Sequence, residues 1–156
     1  MKFIEWRVHK YIAFVARLYL AYIFIYASIH KIIHPDSFAV DVATYQILPH
    51  SLVNLFAVTL PYVEIGAGLM LLFGFKTRQG ALLVCLMMLM FLVALIIALA
   101  KGLHMSCGCF ASQGVEEDPI SFRTVLRDLV WLLLSAYVLV FDKLFLSIDS
   151  VLGRKR

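Results

Sequence analysis

The sequence has few charged residues, and this scarcity excludes a water-soluble fold. Charged side chains make up 15% of the 156 residues, whereas 63% are apolar, and the mean hydropathy is +0.92. A soluble domain of this length needs a more polar surface. The chain also lacks a cluster of basic residues, because its lysines and arginines are scattered near the ends of apolar segments. The net charge of +4 therefore indicates membrane topology and not a nucleic-acid partner.

Four apolar segments are each long enough to cross a bilayer, which takes roughly 20 residues of helix. We therefore predict an all-α membrane protein, a single four-transmembrane-helix bundle over residues 1–156 with no separate soluble domain. Apolar residues in the polar connection between the first two spans indicate a short interfacial helix there. The predicted spans cover residues 11–29, 52–73, 80–100 and 121–141.

The N-terminus lacks the features of a cleaved signal peptide. Its apolar run is too long, contains Arg17 and has no small-residue cleavage site after it, so we expect it to stay in the mature protein. Nine lysines and arginines lie in the two termini and the second connection, against three in the first and third connections. The positive-inside rule then places both termini in the cytoplasm and the first and third connections on the outer face.

The chain has only three cysteines, and two of them are one residue apart. Cys107 and Cys109 flank Gly108 in the third connection, on the predicted outer face, where disulfides persist. A glycine turn can bring such thiols within disulfide reach, but the small ring is strained and easily reduced. The pair is thus a candidate redox centre. The alternatives are a soft-metal site completed by His104, or structural cysteines without a chemical role.

No second cysteine pair is available to receive electrons inside the protein. Cys85 lies 22 residues before Cys107, near the cytoplasmic end of the third span, so about the thickness of a bilayer separates the two cysteines. We therefore expect the electron partner to be a membrane quinone, or a thioredoxin-like or substrate protein outside the membrane.

Ionisable residues inside the spans are candidates for proton transfer or quinone contact, because an unpaired charge at that depth costs at least a few kcal/mol. A buried ion pair that sets helix register is the alternative. Polar residues of the fourth span recur at three- and four-residue steps, which predicts a face directed into the bundle. The candidates are Arg17, Glu64, Arg127 and Asp128, together with Tyr45 of the first connection. The polar face comprises Ser121, Thr124, Asp128, Trp131 and Ser135.

Several short motifs occur along the chain in a fixed order. They are Arg17, His30-Lys31-Ile32-Ile33-His34-Pro35, Phe38, Tyr45, Leu48-Pro49, Pro61, Glu64, Gly68, Lys101-Gly102, Cys107-Gly108-Cys109-Phe110 and Arg127. Their order resembles that of the MauE (methylamine utilisation) branch of the DoxX-like membrane proteins, over about residues 17–137, and the Cys-Gly-Cys-Phe motif is the most specific of them. One departure is Ala111, where the family usually has glycine, and it affects the expected turn geometry but not the thiols.

The resemblance implies a bacterial inner-membrane protein whose Cys107 and Cys109 take part in thiol redox during the maturation of exported proteins. It does not imply methylamine metabolism, since the family occurs far beyond that pathway. The leading hypothesis is therefore a thiol–disulfide oxidoreductase in the membrane. A mercury or copper carrier that uses Cys107, Cys109 and His104 is the alternative, and an assembly subunit with idle cysteines is a third.

Overall fold

The computed structural model describes residues 2–103 and 121–141, with side chains from residue 9 onward. Four of its helices are long and apolar enough to cross a bilayer, and a short helix lies between the first two of them. This confirms the predicted fold class and makes the chain a multi-pass membrane protein in contact with lipid. The helices are α1 (Lys2–Ile33), α2 (Pro35–Thr44), α3 (His50–Phe73), α4 (Thr77–Ala100) and α5 (Phe122–Phe141).

The four long helices form a ring in which each packs against two neighbours. Helix α3 packs against α1 and α4, and α5 completes the ring by packing against α4 and α1. The ring encloses an apolar core, and large apolar side chains cover the outer faces of the helices, as expected where helices meet lipid. Fully buried core residues include Leu20, Leu71, Val84, Leu95 and Val138.

Proline and glycine set two of the helix boundaries. Helix α1 ends at Ile33, and Pro35 opens α2, a position where the missing N–H of proline is not needed. Helix α3 ends at Phe73, and Gly74 caps it with a left-handed φ of 66°, which costs glycine little. The N–H of Phe75 then donates to the carbonyl of Met70 at 3.0 Å. The turn from α3 to α4 is therefore tight.

Gly68 lets α1 and α3 approach closely, since a Cβ placed on it would lie 2.8 Å from the side chain of Ile25. This contact also sets the relative heights of the two antiparallel helices. From this contact toward the same end of the bundle, α3 extends about 27 Å to His50, whereas α1 extends only about 12 Å to Ile33. Helix α1 thus stops roughly 15 Å short of the end of α3. Helix α2 packs against α3 in the space that this leaves; we call this end of the molecule the α2 end.

At the opposite end of the bundle, α1 and α5 are joined by an aromatic cluster. Nδ1 of His9 lies 2.7 Å from the hydroxyl of Tyr137, and the His9 ring stacks on Phe141 with ring centres 5.2 Å apart. These contacts close the ring of helices at the end away from α2.

Candidate functional site

Lys31 and Glu64 form a buried ion pair between α1 and α3. The Lys31 ammonium donates to the two carboxylate oxygens of Glu64 at 2.9 and 3.0 Å, and only 5% and 3% of the two side chains are exposed. Lys31 lies in the last turn of α1, but it is buried because that helix ends inside the bundle. Because an unpaired charge at this depth is costly, each residue stabilises the other in its charged form.

Two phenylalanine rings enclose the ammonium group of Lys31. Its Nζ lies 4.9 Å from the ring centre of Phe38 on α2 and 5.1 Å from that of Phe91 on α4. Both distances are within the range of cation–π attraction. The ammonium group is therefore held by three other helices, through Glu64 on α3 and one ring each on α2 and α4.

A small chamber adjoins the ion pair on the inner side of the ring of helices. Its volume is about 20 Å³, which is enough for about one water molecule. Trp131 of α5 forms part of its wall, and the guanidinium of Arg127 lies 5.0 Å from the centre of the Trp131 ring. The chamber lining consists of Ile23, Phe24, Ala27, Lys31, Glu64, Met88, Phe91 and Trp131.

A larger cavity of about 150 Å³ lies between α2, α3 and α4 at the α2 end. Phe91 lines both this cavity and the small chamber, and Phe38 and Phe91, which both contact the Lys31 ammonium, also line the cavity. The cavity wall is almost entirely apolar or aromatic, and Asp41 and Tyr45 are the two lining residues whose side chains carry a polar group. The lining residues are Phe38, Asp41, Val42, Tyr45, Ile47, Leu48, Phe56, Met90, Phe91 and Ala94.

Asp41 is the acid of the larger cavity. It lies on α2, outside the four spans, and is half-buried. Burial raises the pKa of its carboxyl group above the usual value, and the positive charge of Lys31 offsets only part of this increase. Asp41 therefore holds a proton at higher pH than an ordinary aspartate, next to an apolar space.

The structure brings some of the predicted site residues together and leaves others apart. Glu64 lies in the small chamber and Tyr45 in the larger cavity, whereas Arg17 lies fourteen residues before Lys31 on α1, about 21 Å away along the helix axis. Arg17 is buried, and its guanidinium lies 5.0 Å from the ring centre of Phe14. Arg17 therefore belongs to a different level of the bundle from Glu64.

The polar face predicted for the fourth span does point into the bundle. Thr124, Asp128, Trp131 and Ser135 are buried on α5, which confirms that prediction. Asp128 is fully buried, and one of its carboxylate oxygens accepts a hydrogen bond from Nε of Arg127 at 3.3 Å. The two neighbouring residues thus bring a charged pair next to Trp131.

The cysteine motif falls outside the described residues, and so do His104, Cys107 and Cys109. Cys85 is a free, half-buried thiol of α4. Over residues 2–103 and 121–141, no three His, Cys, Asp or Glu side chains are close enough together to hold a metal ion.

Lys31 and Asp41 are the two charged residues of this region that sequence reasoning missed as site residues. Lys31 looked like a basic residue at the end of a span. It nevertheless continues the buried stripe of α1 through Leu20, Phe24 and Ala27, at the three- and four-residue steps of one helix face. That periodicity was the available signal. For Asp41, the signal was its place inside an otherwise apolar interfacial segment.

The chain is similar to a described membrane-protein family. A family model for methylamine utilisation protein MauE matches residues 9–141. The methylamine utilization protein MauE of Paracoccus denitrificans is 28% identical over 127 residues, or 81% of this chain and 67% of that protein. The protein of the same name from Methylophilus methylotrophus is 31% identical over 128 residues, with the same coverage of both chains. No solved structure matches the chain.

Proposed function

The chain belongs to the MauE family, and we propose that it is a membrane thiol–disulfide oxidoreductase that uses Cys107 and Cys109. Its electrons pass to or from a membrane quinone or a thioredoxin-like partner during the maturation of exported proteins. The observation that carries this proposal is the position of the larger cavity next to the segment that leads into the cysteine motif.

That position follows from contacts of the last described residue before the motif. Leu103 packs against Tyr45 and Ala98, and Tyr45 also lines the larger cavity. Cys107 follows Leu103 by four residues, a length of chain that spans at most about 14 Å. Connectivity therefore keeps the first thiol of the pair within reach of the α2 end of the bundle, where the cavity and the ion pair lie.

The redox step is an exchange between the pair and its partner. A thiolate of the pair attacks a partner disulfide, and the second cysteine then displaces the partner from the mixed disulfide, which leaves Cys107 bonded to Cys109. The partner gains two electrons and two protons in this direction and loses them in the reverse direction. Among the predicted proton or quinone contacts, Tyr45 lines the larger cavity and Glu64 lines the small chamber. The guanidinium of Arg127 lies over Trp131, which forms part of the chamber wall.

The proposed location is the bacterial inner membrane, with both termini in the cytoplasm. The basic residues of the tight α3–α4 turn, Lys76 and Arg78, support this orientation by the positive-inside rule. The α2 end of the bundle then faces the periplasm or the cell exterior, where a thioredoxin-like or substrate protein would meet the cysteine pair.

Thiol alkylation in isolated membranes tests this function. In a Cys85→Ser background, a maleimide reagent that adds mass should modify two cysteines after reduction and none after treatment with decylubiquinone or an oxidised thioredoxin. A Cys107→Ser, Cys109→Ser variant in the same background supplies the unmodified control. A pair that keeps one redox state with every partner would contradict the proposal. Stoichiometric copper or mercury that is retained by the wild type and lost in Cys107→Ser would favour the metal-carrier alternative.

A further inference from the structure

We propose that the cavity between α2, α3 and α4 binds the ring of a lipid-soluble quinone, and that Asp41 is the acid that protonates a ring oxygen. This inference rests on the proposed thiol redox function and names the electron acceptor and its site. All residues of this site lie in the part of the chain that the structure describes. Asp41 and its neighbour Lys31 were not predicted as site residues from the sequence.

The cavity has the size and walls that a single ring requires. Its volume of about 150 Å³ is similar to that of a protein cavity known to accommodate benzene. Aromatic side chains from all three helices line it, namely Phe38, Phe56 and Phe91. Such walls suit a flat ring, because aromatic pairs gain stacking or edge-to-face attraction beyond the area that they bury.

The depth of the cavity suits a ligand that arrives from the bilayer. Phe56 lies six residues inside the α2 end of α3, and Phe91 lies nine residues inside that of α4, so the cavity is about 9 to 14 Å below these helix ends. It is also partly open. A depth of this size lies within the hydrocarbon region of a bilayer about 30 Å thick, so it suits a ligand that dissolves in lipid.

Asp41 and Tyr45 distinguish this cavity from a simple packing defect. A hydrocarbon chain offers no partner to a carboxylic acid or a hydroxyl, whereas a quinone oxygen accepts a hydrogen bond from either of them. Burial raises the pKa of Asp41, so its carboxyl group keeps a proton to higher pH than an exposed aspartate does. Lys31, whose ammonium group contacts the Phe38 and Phe91 rings, stabilises the carboxylate left after that proton is donated.

Oxidation of the thiol pair and reduction of a quinone exchange equal numbers of electrons and protons. Oxidation of the Cys107 and Cys109 thiols forms one S–S bond and releases two electrons and two protons. A quinone takes up two electrons and two protons as it becomes a quinol. Asp41 donates one proton to one ring oxygen and regains one of the two that the thiols release. The other released proton goes to the second ring oxygen, so no further oxidant or reductant is required.

Binding can be tested with one substitution placed at two positions of α4. Ala94 lines the cavity, so Ala94→Phe should fill it and weaken decylubiquinone binding to the purified protein by about tenfold or more, equivalent to about 1.4 kcal/mol. Ala100 is exposed at the end of the same helix, and Ala100→Phe should leave binding unchanged. Equal affinities for the two variants, or no saturable binding to the wild type, would overturn the assignment.

The role of Asp41 needs a kinetic test in addition. Asp41→Asn should still bind decylubiquinone but oxidise the dithiol about tenfold or more slowly, since general acids contribute at least about a hundredfold in typical cases. Asp41→Glu should recover much of the rate, and only the wild type and Asp41→Glu should lose rate as the acid deprotonates with rising pH. An Asp41→Asn rate equal to wild type at every pH would remove Asp41 from the reaction.

The two proposals fail in different ways. If the Cys107→Ser, Cys109→Ser protein still binds decylubiquinone but wild-type thiols never change redox state, the redox function is wrong and the cavity assignment loses its premise. If a thioredoxin oxidises the thiols but decylubiquinone neither binds nor reacts, the redox function stands and the quinone site is wrong.

Discussion

Removing one member of the Lys31–Glu64 pair should destabilise the protein more than removing both, because it leaves the other residue as an unpaired buried charge. Lys31→Met leaves the Glu64 carboxylate without its cation in an apolar site, and Glu64→Met leaves the Lys31 ammonium without its anion. The folded state then bears the cost of burying a lone charge at that depth.

The magnitude follows from the burial of the pair. Only 5% and 3% of the two side chains are exposed, and removing one partner of a buried ion pair costs roughly 3 to 5 kcal/mol. An exposed ion pair is worth only about 0 to 1 kcal/mol, so the size of the deficit tests whether the pair is buried.

The assay is reversible unfolding in detergent micelles, followed by circular dichroism at pH 7. A Lys31→Met, Glu64→Met double variant should be more stable than either single variant, because two apolar side chains replace a pair of charges. Lys101→Met, at an exposed lysine, is the matched control and should change stability by no more than about 0.5 kcal/mol. Single variants that lose no more than about 1 kcal/mol, or a double variant whose deficit equals their sum, would refute the reasoning.

Three further predictions concern packing, protonation and topology. Gly68→Ala should destabilise the protein by about 1 to 3 kcal/mol, because the new Cβ would lie 2.8 Å from the Ile25 side chain of α1. Gly66→Ala is the control in the same unfolding assay and should be neutral or stabilising, since nothing lies within 4 Å of its new Cβ. The raised pKa of Asp41 contributes stability that is complete below the usual value of 3.8 and is lost as pH rises through the raised value, so Asp41→Asn should unfold with a weaker pH dependence between pH 4 and 8. Single cysteines at Gln46 and Gln79, in a chain whose own cysteines are serine, should react with an impermeant maleimide from opposite sides of the membrane, Gln46 from outside; labelling of both from one side would contradict the assigned orientation.

Much of the frame could be predicted from the sequence because the bilayer imposes simple rules. An apolar run of about 20 residues has few options in lipid other than a helix, so the last three spans were predicted with ends within three residues of those observed. The first span was predicted too short, since α1 extends from Lys2 to Ile33 beyond the predicted 11–29. The inward face of α5 was also predictable, since Thr124, Asp128 and Ser135 recur at helical spacing and polar groups avoid lipid.

The partner of Glu64 was not predictable in the same way. The sequence places Glu64, Arg17 and Arg127 inside the spans but does not give the relative heights of the helices that carry them. The structure pairs Glu64 with Lys31 instead. Helix α1 stops short of the α2 end of the bundle, so Lys31 in its last turn is buried inside the protein.

The sequence by itself determined that this chain is a helical membrane protein with a polar interior face, a short helix after the first span and a closely spaced cysteine pair. Those features depend on composition and on periodicities of a few residues, which act locally. Only the tertiary structure decided how far α1 reaches, because the Gly68 contact with Ile25 sets its height against α3. That height buries Lys31 beside Glu64, brings α2 over the gap and leaves the cavity that Asp41 faces. Such consequences depend on contacts between residues more than thirty positions apart, which no local pattern encodes.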